Sequence, residues 1–231
     1  MSGGVTKSHL YIRITKCASR TILAYYGGSP GFLNSPGEGR SPADRSLLLP
    51  GRHQAERDSV FFDDSVSTFT FVRNPYDRAV SSWTWAVREG YTGASFLEFL
   101  KGLEGILDTP SAELSKRDLL IKRHSLPQVK WVTGDGGSWA CDFAGRVEWL
   151  SGHVKIMNQL LGLPERALPL KSLNTSRKGA PDYREYYTSE SRTAVRSIYE
   201  RDINEFGYSF DGPPPMGVME YKGKMAACLE E

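Results

Sequence analysis

Cysteine is scarce in this chain: Cys17, Cys141 and Cys228 are its three among 231 residues. An odd, widely spaced set with no Cys-x-x-Cys pair excludes a disulfide framework and a thiolate metal site, and it suits a reducing compartment. An excess of one charge is also lacking. The 29 Lys and Arg are nearly balanced by 27 Asp and Glu, for a formal net charge of +2. That argues against bulk electrostatic binding of nucleic acid and leaves anion recognition to local clusters. No apolar run approaches the roughly 20 residues of a membrane span, and residues 1–7 lack the apolar core of a signal peptide. The chain therefore reads as cytoplasmic, with no membrane partner. The phosphate loop Gly-x-x-x-x-Gly-Lys-Ser/Thr is missing, as is an evident pair of metal-binding acids, which counts against metal-dependent phosphoryl transfer. No internal repeat is present.

What is there is most concentrated at residues 68–81, Thr-Phe-Thr-Phe-Val-Arg-Asn-Pro-Tyr-Asp-Arg-Ala-Val-Ser. The β-branched and aromatic run ending at Val72 reads as a buried strand. Asn74 is an N-cap, Pro75 the first helical residue and Asp77 the third member of a capping box. Ala79, Val80, Trp83, Ala86 and Val87 give the helix an apolar face. Arg73 thus stands where a strand meets a helix N-terminus, with Ser81 two turns on, an arrangement suited to a phosphate group. The structural alternative for Arg73 is an ion pair with Asp77.

A second such corner lies near the N-terminus. Residues 10–14, Leu-Tyr-Ile-Arg-Ile, form a strand-like run, and Ile22-Leu23-Ala24-Tyr25-Tyr26 an apolar helical one. The turn between them, Thr15-Lys16-Cys17-Ala18-Ser19-Arg20-Thr21, carries a lysine, an arginine and several hydroxyls, with backbone amides free to face an anion. An ordinary connection with a solvated lysine is the alternative.

Together these elements resemble the sulfotransferases that use 3′-phosphoadenosine 5′-phosphosulfate (PAPS), most closely the carbohydrate-type branch with its bacterial members. The similarity continues through His124-x-x-Pro127-Gln128, Asp142-Phe143-Ala144-Gly145-Arg146-Val147-Glu148, Leu161-Gly162-Leu163-Pro164, Asn174-Thr175-Ser176-Arg177-Lys178-Gly179 and Tyr199-x-x-Asp202-x-x-x-Phe206-Gly207-Tyr208. The resemblance implies that residues 16–21 (Lys16, Cys17, Ala18, Ser19, Arg20, Thr21) cradle the 5′-phosphosulfate and that Arg73 and Ser81 grip the 3′-phosphate. It implies that Arg177, Lys178 and Gly179 close on the same phosphate. Lys16 would stabilise the bridging oxygen as a hydroxylated acceptor, a glycan first, attacks sulfur in line and 3′,5′-adenosine diphosphate leaves. Thr15, Ala18 and Arg20 depart from the residues common in this loop, and Ala18 fits where φ stays negative.

For the base that takes the acceptor proton, four histidines are available: His9, His53, His124 and His153. The resemblance favours His53, with His124 second. Glu148 is a further candidate, His153 reads as structural and His9 as incidental. Cys17 sits in the loop, where packing is the simpler use of its thiol. Trp83, Trp85, Tyr91, Trp131 and Trp139 are candidates either for stacking on an acceptor or for the core. A small-molecule hydroxyl or amine acceptor, a kinase-like phosphoryl transferase and a nucleotide- or glycan-binding module without chemistry are the competing functions.

The expected fold is α/β: one domain over residues 8–210, a short, mainly parallel sheet flanked by helices on both faces, and a P-loop-like turn after the first strand. Residues 27–59 read as a long flexible loop and 211–231 as a tail. Further helices are expected after the Ser95-x-x-Glu98 capping box, from Thr109-Pro110 toward His124, from Trp149 to Leu161, and from about Thr188 to Phe206.

Overall fold

A computed structural model describes residues 8–26, 32–34, 66–133, 139, 141–165, 181–215 and 219–220. Its strands are β1 (Ser8–Ile12), β2 (Phe32–Asn34), β3 (Val66–Val72), β4 (Phe143–Arg146) and β5 (Met219–Glu220). They form one sheet in the order β2-β1-β3-β4-β5. The first four are mutually parallel and β5 pairs antiparallel to β4. The central strand is covered on both faces: Thr68, Phe69, Thr70, Phe71 and Val72 are all fully buried. Burial on both faces fits a strand with no charged residue, in which threonines alternate with phenylalanines. Its two threonines spend their hydroxyls inside the sheet, Thr70 donating to the Ile12 carbonyl at 2.8 Å and Thr68 to Asp142 at 3.1 Å.

Helices lie on both sides. Alternating residues of the strands split between two clusters, as a pleat requires. Tyr11, Phe69 and Phe71 pack with α1 (Ser19–Tyr26) and the helix Leu150–Leu161, while Leu10, Ile12 and Val72 pack with Val129, Trp131, Val132 and Phe206. A third cluster joins the remaining helices to one another through Tyr76, Val80, Phe99, Leu100, Leu103, Val195 and Tyr199. Numbered in order after α1, the helices are α2 (Pro75–Arg88), α3 (Phe96–Asp108), α4 (Lys116–Ser125), α5 (Val129–Val132), α6 (Leu150–Leu161), α7 (Ser189–Ile198) and α8 (Glu200–Glu205). Short 3₁₀ turns, Val147–Trp149 and Tyr183–Tyr186, precede α6 and α7.

Several local signals act as read. Asn74 caps α2 by accepting from Tyr76 N–H, and Ser95 and Glu98 form a reciprocal capping box on α3. Gly162, at φ 65°, closes α6. Others are overridden. Asp77 completes no capping box, because Arg73 takes its carboxylate at 2.6 Å. Val87, expected on the apolar face of α2, is 43% exposed. No helix starts at Thr109-Pro110: Thr109 is extended, as a residue before proline tends to be, and α4 waits for the Ser115 cap. The long last helix is broken at Tyr199 (φ −116°, ψ 23°), whose buried hydroxyl donates to the Ser125 carbonyl at 2.7 Å. The first strand runs Ser8–Ile12 rather than over residues 10–14, and β2 and β5 fall within stretches read as loop and tail. His53, Arg177, Lys178 and Gly179 lie outside the described residues.

Candidate active site

The parallel arrangement of β1 beside β3 brings their C-terminal ends together, with Ile12 paired to Thr70. Both candidate turns therefore open at the same edge of the sheet, where such sheets bind ligands. The turn after β1 has an unusual backbone. Lys16 and Ala18 hold φ of 66° and 52°, the left-handed region that side chains rarely enter. The condition under which alanine fits here, a negative φ, is not met: the turn holds the left-handed conformation despite the methyl group. Alternating such residues is the backbone pattern that can turn successive N–H groups toward one side, a concavity suited to an anion. The loop is tied down from several directions. Ser19 donates its hydroxyl to the Ile14 carbonyl at 2.7 Å, and Thr15 donates to the Arg123 carbonyl at 2.9 Å. Ser19 and Thr21 are buried, while Arg20 points outward.

Arg73 leaves β3 directly beside this loop. Its Nη1 donates to the Lys16 carbonyl at 3.2 Å and its Nε to Asp77 at 2.7 Å. The ion-pair alternative for Arg73 is therefore present, and the same guanidinium also touches the cradle. Its side chain stays 19% exposed, so donors remain for a ligand. Ser81, two turns along α2, is 2% exposed, and among the described residues no hydrogen bond engages its hydroxyl.

The charge balance here is positive. Burial, followed by Arg73, Arg88 and Arg78, lowers the Lys16 ammonium to about 8. Among the described residues no carboxylate pairs with it. Arg78 is wholly buried, its Nε donating to the Thr15 carbonyl at 3.1 Å and Nη2 to the His124 carbonyl at 3.3 Å. Cys17 is buried too; its Sγ–H donates to Gln128 at 3.1 Å, and burial pushes the thiol up to about 12. A thiol so held is packing, not a nucleophile.

The proton acceptors separate clearly. His124 stacks on Trp85, ring centroids 3.6 Å apart, and directs Nδ1 at the Leu120 carbonyl at 2.9 Å, which leaves Nε2 with the lone pair. Burial, with Lys16, Arg123 and Arg78 nearby, lowers its pKa to about 4. Lys16 Nζ stands 6.0 Å from the same Trp85 ring. Glu148 has both oxygens engaged, one accepting from Asn74 N–H at 2.6 Å and the other from Tyr208 Oη–H at 2.9 Å. Burial raises its pKa. It holds the start of α2 to Tyr208, just after α8, and each of its oxygens already accepts a hydrogen bond. His153 accepts from Arg146 N–H at 2.6 Å and is structural, and His9 is buried on β1.

A family model described as "Sulfotransferase family" matches residues 6–209. The chain belongs to the sulfotransferase family. Among solved structures, a sulfotransferase from Alicyclobacillus acidocaldarius aligns at 15% identity, covering 87% of this chain and 94% of its own, with a TM-score of 0.45. No curated protein matches the chain.

Sequence reasoning assigned no role in this sulfotransferase to three residues that build the corner: Arg78, Gln128 and Asp202. Arg78 had a signal, since it lies one turn from Pro75 and Ser82 on the face of α2 that turns inward. Gln128 and Asp202 stand in two of the motifs that carry the resemblance, but those motifs do not show what the side chains bind, because their partners are 55 to 111 residues away. Among the aromatics, Trp131 is core, Trp139 packs edge-on to Phe206, and Trp83 donates its indole N–H to the Ala94 carbonyl at 3.0 Å. Trp85 is half-buried beside Lys16 and His124, and Tyr91, also half-buried, packs edge-on against it. No helix among the described residues is long and apolar enough to cross a membrane, and among them no acid, histidine or cysteine cluster suits a metal.

Proposed function

We propose that this sulfotransferase transfers the sulfuryl group of PAPS to an acceptor hydroxyl, that of a glycan first. The observation that carries the reading is the shared corner. A left-handed loop bearing an under-neutralised Lys16 lies in hydrogen-bond contact with Arg73 at the neighbouring strand end. One corner thus offers donors to both ends of a nucleotide phosphorylated at its 5′ and 3′ positions. The acceptor oxygen attacks sulfur, the bond to the 5′-phosphate oxygen breaks, and charge builds on that leaving oxygen. Lys16, protonated for the most part at neutral pH yet weakly basic enough to give up a proton, is suited to meeting that charge. Ser81 and Arg73 would hold the 3′-phosphate, with Arg177, Lys178 and Gly179 contributing by family resemblance.

The base needs a pKa near the working pH. His124 presents a free Nε2 but is too weakly basic to be well matched, so His53 remains the favoured base by resemblance. Trp85 and Tyr91, half-buried next to this corner, are suited to stacking against a sugar ring.

Thermal unfolding with 3′,5′-adenosine diphosphate, compared with 5′-AMP, ADP and ATP and without metal, tests the donor. A hundredfold excess over Kd adds about 2.7 kcal/mol, on the order of 5–10 °C for a domain of this size. Selective stabilisation that Arg73→Ala abolishes supports the reading. No shift, or a larger one with ATP, refutes it.

A further inference from the structure

The two turns of the candidate donor site come from separate strands, so their relative position must be set by something that touches both. Arg73 and Arg78 reach across from the second turn and its helix to the Lys16 and Thr15 carbonyls, and Gln128 joins both turns from a third element. Gln128 is fully buried at the start of α5. Its Oε1 accepts from Arg73 N–H at 2.9 Å and from Cys17 Sγ–H at 3.1 Å, and its Nε2 donates to the Arg73 carbonyl at 2.9 Å. The amide thus pairs with both backbone groups of Arg73, as an adjacent strand would, just where β3 leaves the sheet. Its third bond reaches the residue next to Lys16. Asp202, buried at the broken end of the last helices, fixes the base of this arm by accepting from Gln128 N–H at 2.7 Å and Val129 N–H at 2.9 Å.

We propose that Gln128, anchored by Asp202, is a positioning residue that sets the Lys16 loop against Arg73. Its function in catalysis rests on the donor site proposed above. The requirement is chemically narrow. The position needs an acceptor facing the Arg73 N–H and Cys17 and a donor facing the Arg73 carbonyl, which a primary amide supplies at once. Leucine supplies neither. An ionised glutamate supplies the acceptor and sets a negative oxygen against the carbonyl, whereas a protonated glutamate restores the donor.

The test uses Gln128→Leu and Gln128→Glu in the full chain, at a temperature well below melting. N-ethylmaleimide labelling is followed peptide by peptide. Cys141, fully buried like Cys17, reports global opening. In Gln128→Leu, Cys17 labelling is expected to rise about tenfold or more while Cys141 is unchanged, as loss of buried hydrogen bonds opens the loop locally. In Gln128→Glu the Cys17-to-Cys141 ratio should fall toward the wild-type value as pH is lowered and the acid protonates. Affinity for 3′,5′-adenosine diphosphate should follow the same order. Equal rises at both cysteines, no rise at either, or a pH-independent ratio in Gln128→Glu would overturn the proposal. If the wild-type protein fails to bind this nucleotide, the donor reading falls, and labelling still judges whether Gln128 couples the two turns.

Discussion

Ala18→Gly should stabilise this protein, although the substitution usually does the opposite. At φ 52° an alanine methyl crowds its own backbone, which costs about 1–2 kcal/mol relative to a right-handed conformation. Glycine removes that strain but gives the unfolded chain freedom worth roughly 0.4–1 kcal/mol. The difference leaves a net gain of about 0.5–1 kcal/mol, or on the order of 1–4 °C in Tm. Ala86→Gly serves as the matched control. It deletes the same methyl from the interior of α2, where the residue is fully buried. There helix propensity and lost packing together should cost roughly 1–2 kcal/mol. Reversible denaturant unfolding measures both. Opposite signs are required. If Ala18→Gly lowers the midpoint as Ala86→Gly does, the strain argument for this loop is wrong.

Two further outcomes follow from the same corner and from the sheet. Lys16 titrates near 8, below its unfolded value, so the free site loses its charge as pH rises through 8. Affinity for 3′,5′-adenosine diphosphate should hold between about pH 7 and 8, above the second phosphate pKa of about 6, and fall above 8 by up to about tenfold per pH unit in isothermal titrations; that fall should vanish in Lys16→Ala. Gly145 pairs with Phe71 across β3 and β4, and a Cβ built there would stand 2.6 Å from the Phe71 ring. Gly145→Ala should therefore destabilise by about 1–3 kcal/mol, seen as a lower Tm; an unchanged Tm would mean the ring yields freely.

The strands that carry the two turns, and the turns themselves, were legible because their signals are local, whereas β2 and β5 were not. Asn74 and Pro75 announce α2 within two residues, Ser95 and Glu98 announce α3, and Phe69 to Val72 read as strand on side-chain type alone. Arg73 and Lys16 stood out because each is a cation placed where a strand gives way to a helix. What stayed hidden is either conformational or remote. Nothing about Lys16 or Ala18 as residue types announces a positive φ; the turn imposes it. Asp77 could be read as a capping residue or as the ion-pair partner of Arg73, and spacing alone does not choose between them; the fold makes the ion pair. Nor does the sequence around Glu148, read as a possible base, show that its oxygens accept from Asn74 and Tyr208. Gln128 and Asp202 meet across 74 residues, a contact that only the completed fold creates.

The bonds radiating from the Gln128 amide and its anchor span 111, 55 and 74 residues. A chain leaving the ribosome, at about 5–20 residues per second, can make β1 and the Lys16 loop early but cannot lock them until Asp202 has emerged. Contacts this distant in sequence form late in folding and slow it. Nucleotide able to bind only the locked corner would arrive after the folding barrier. It should lengthen the lifetime of the finished molecule while leaving the speed at which that molecule forms untouched.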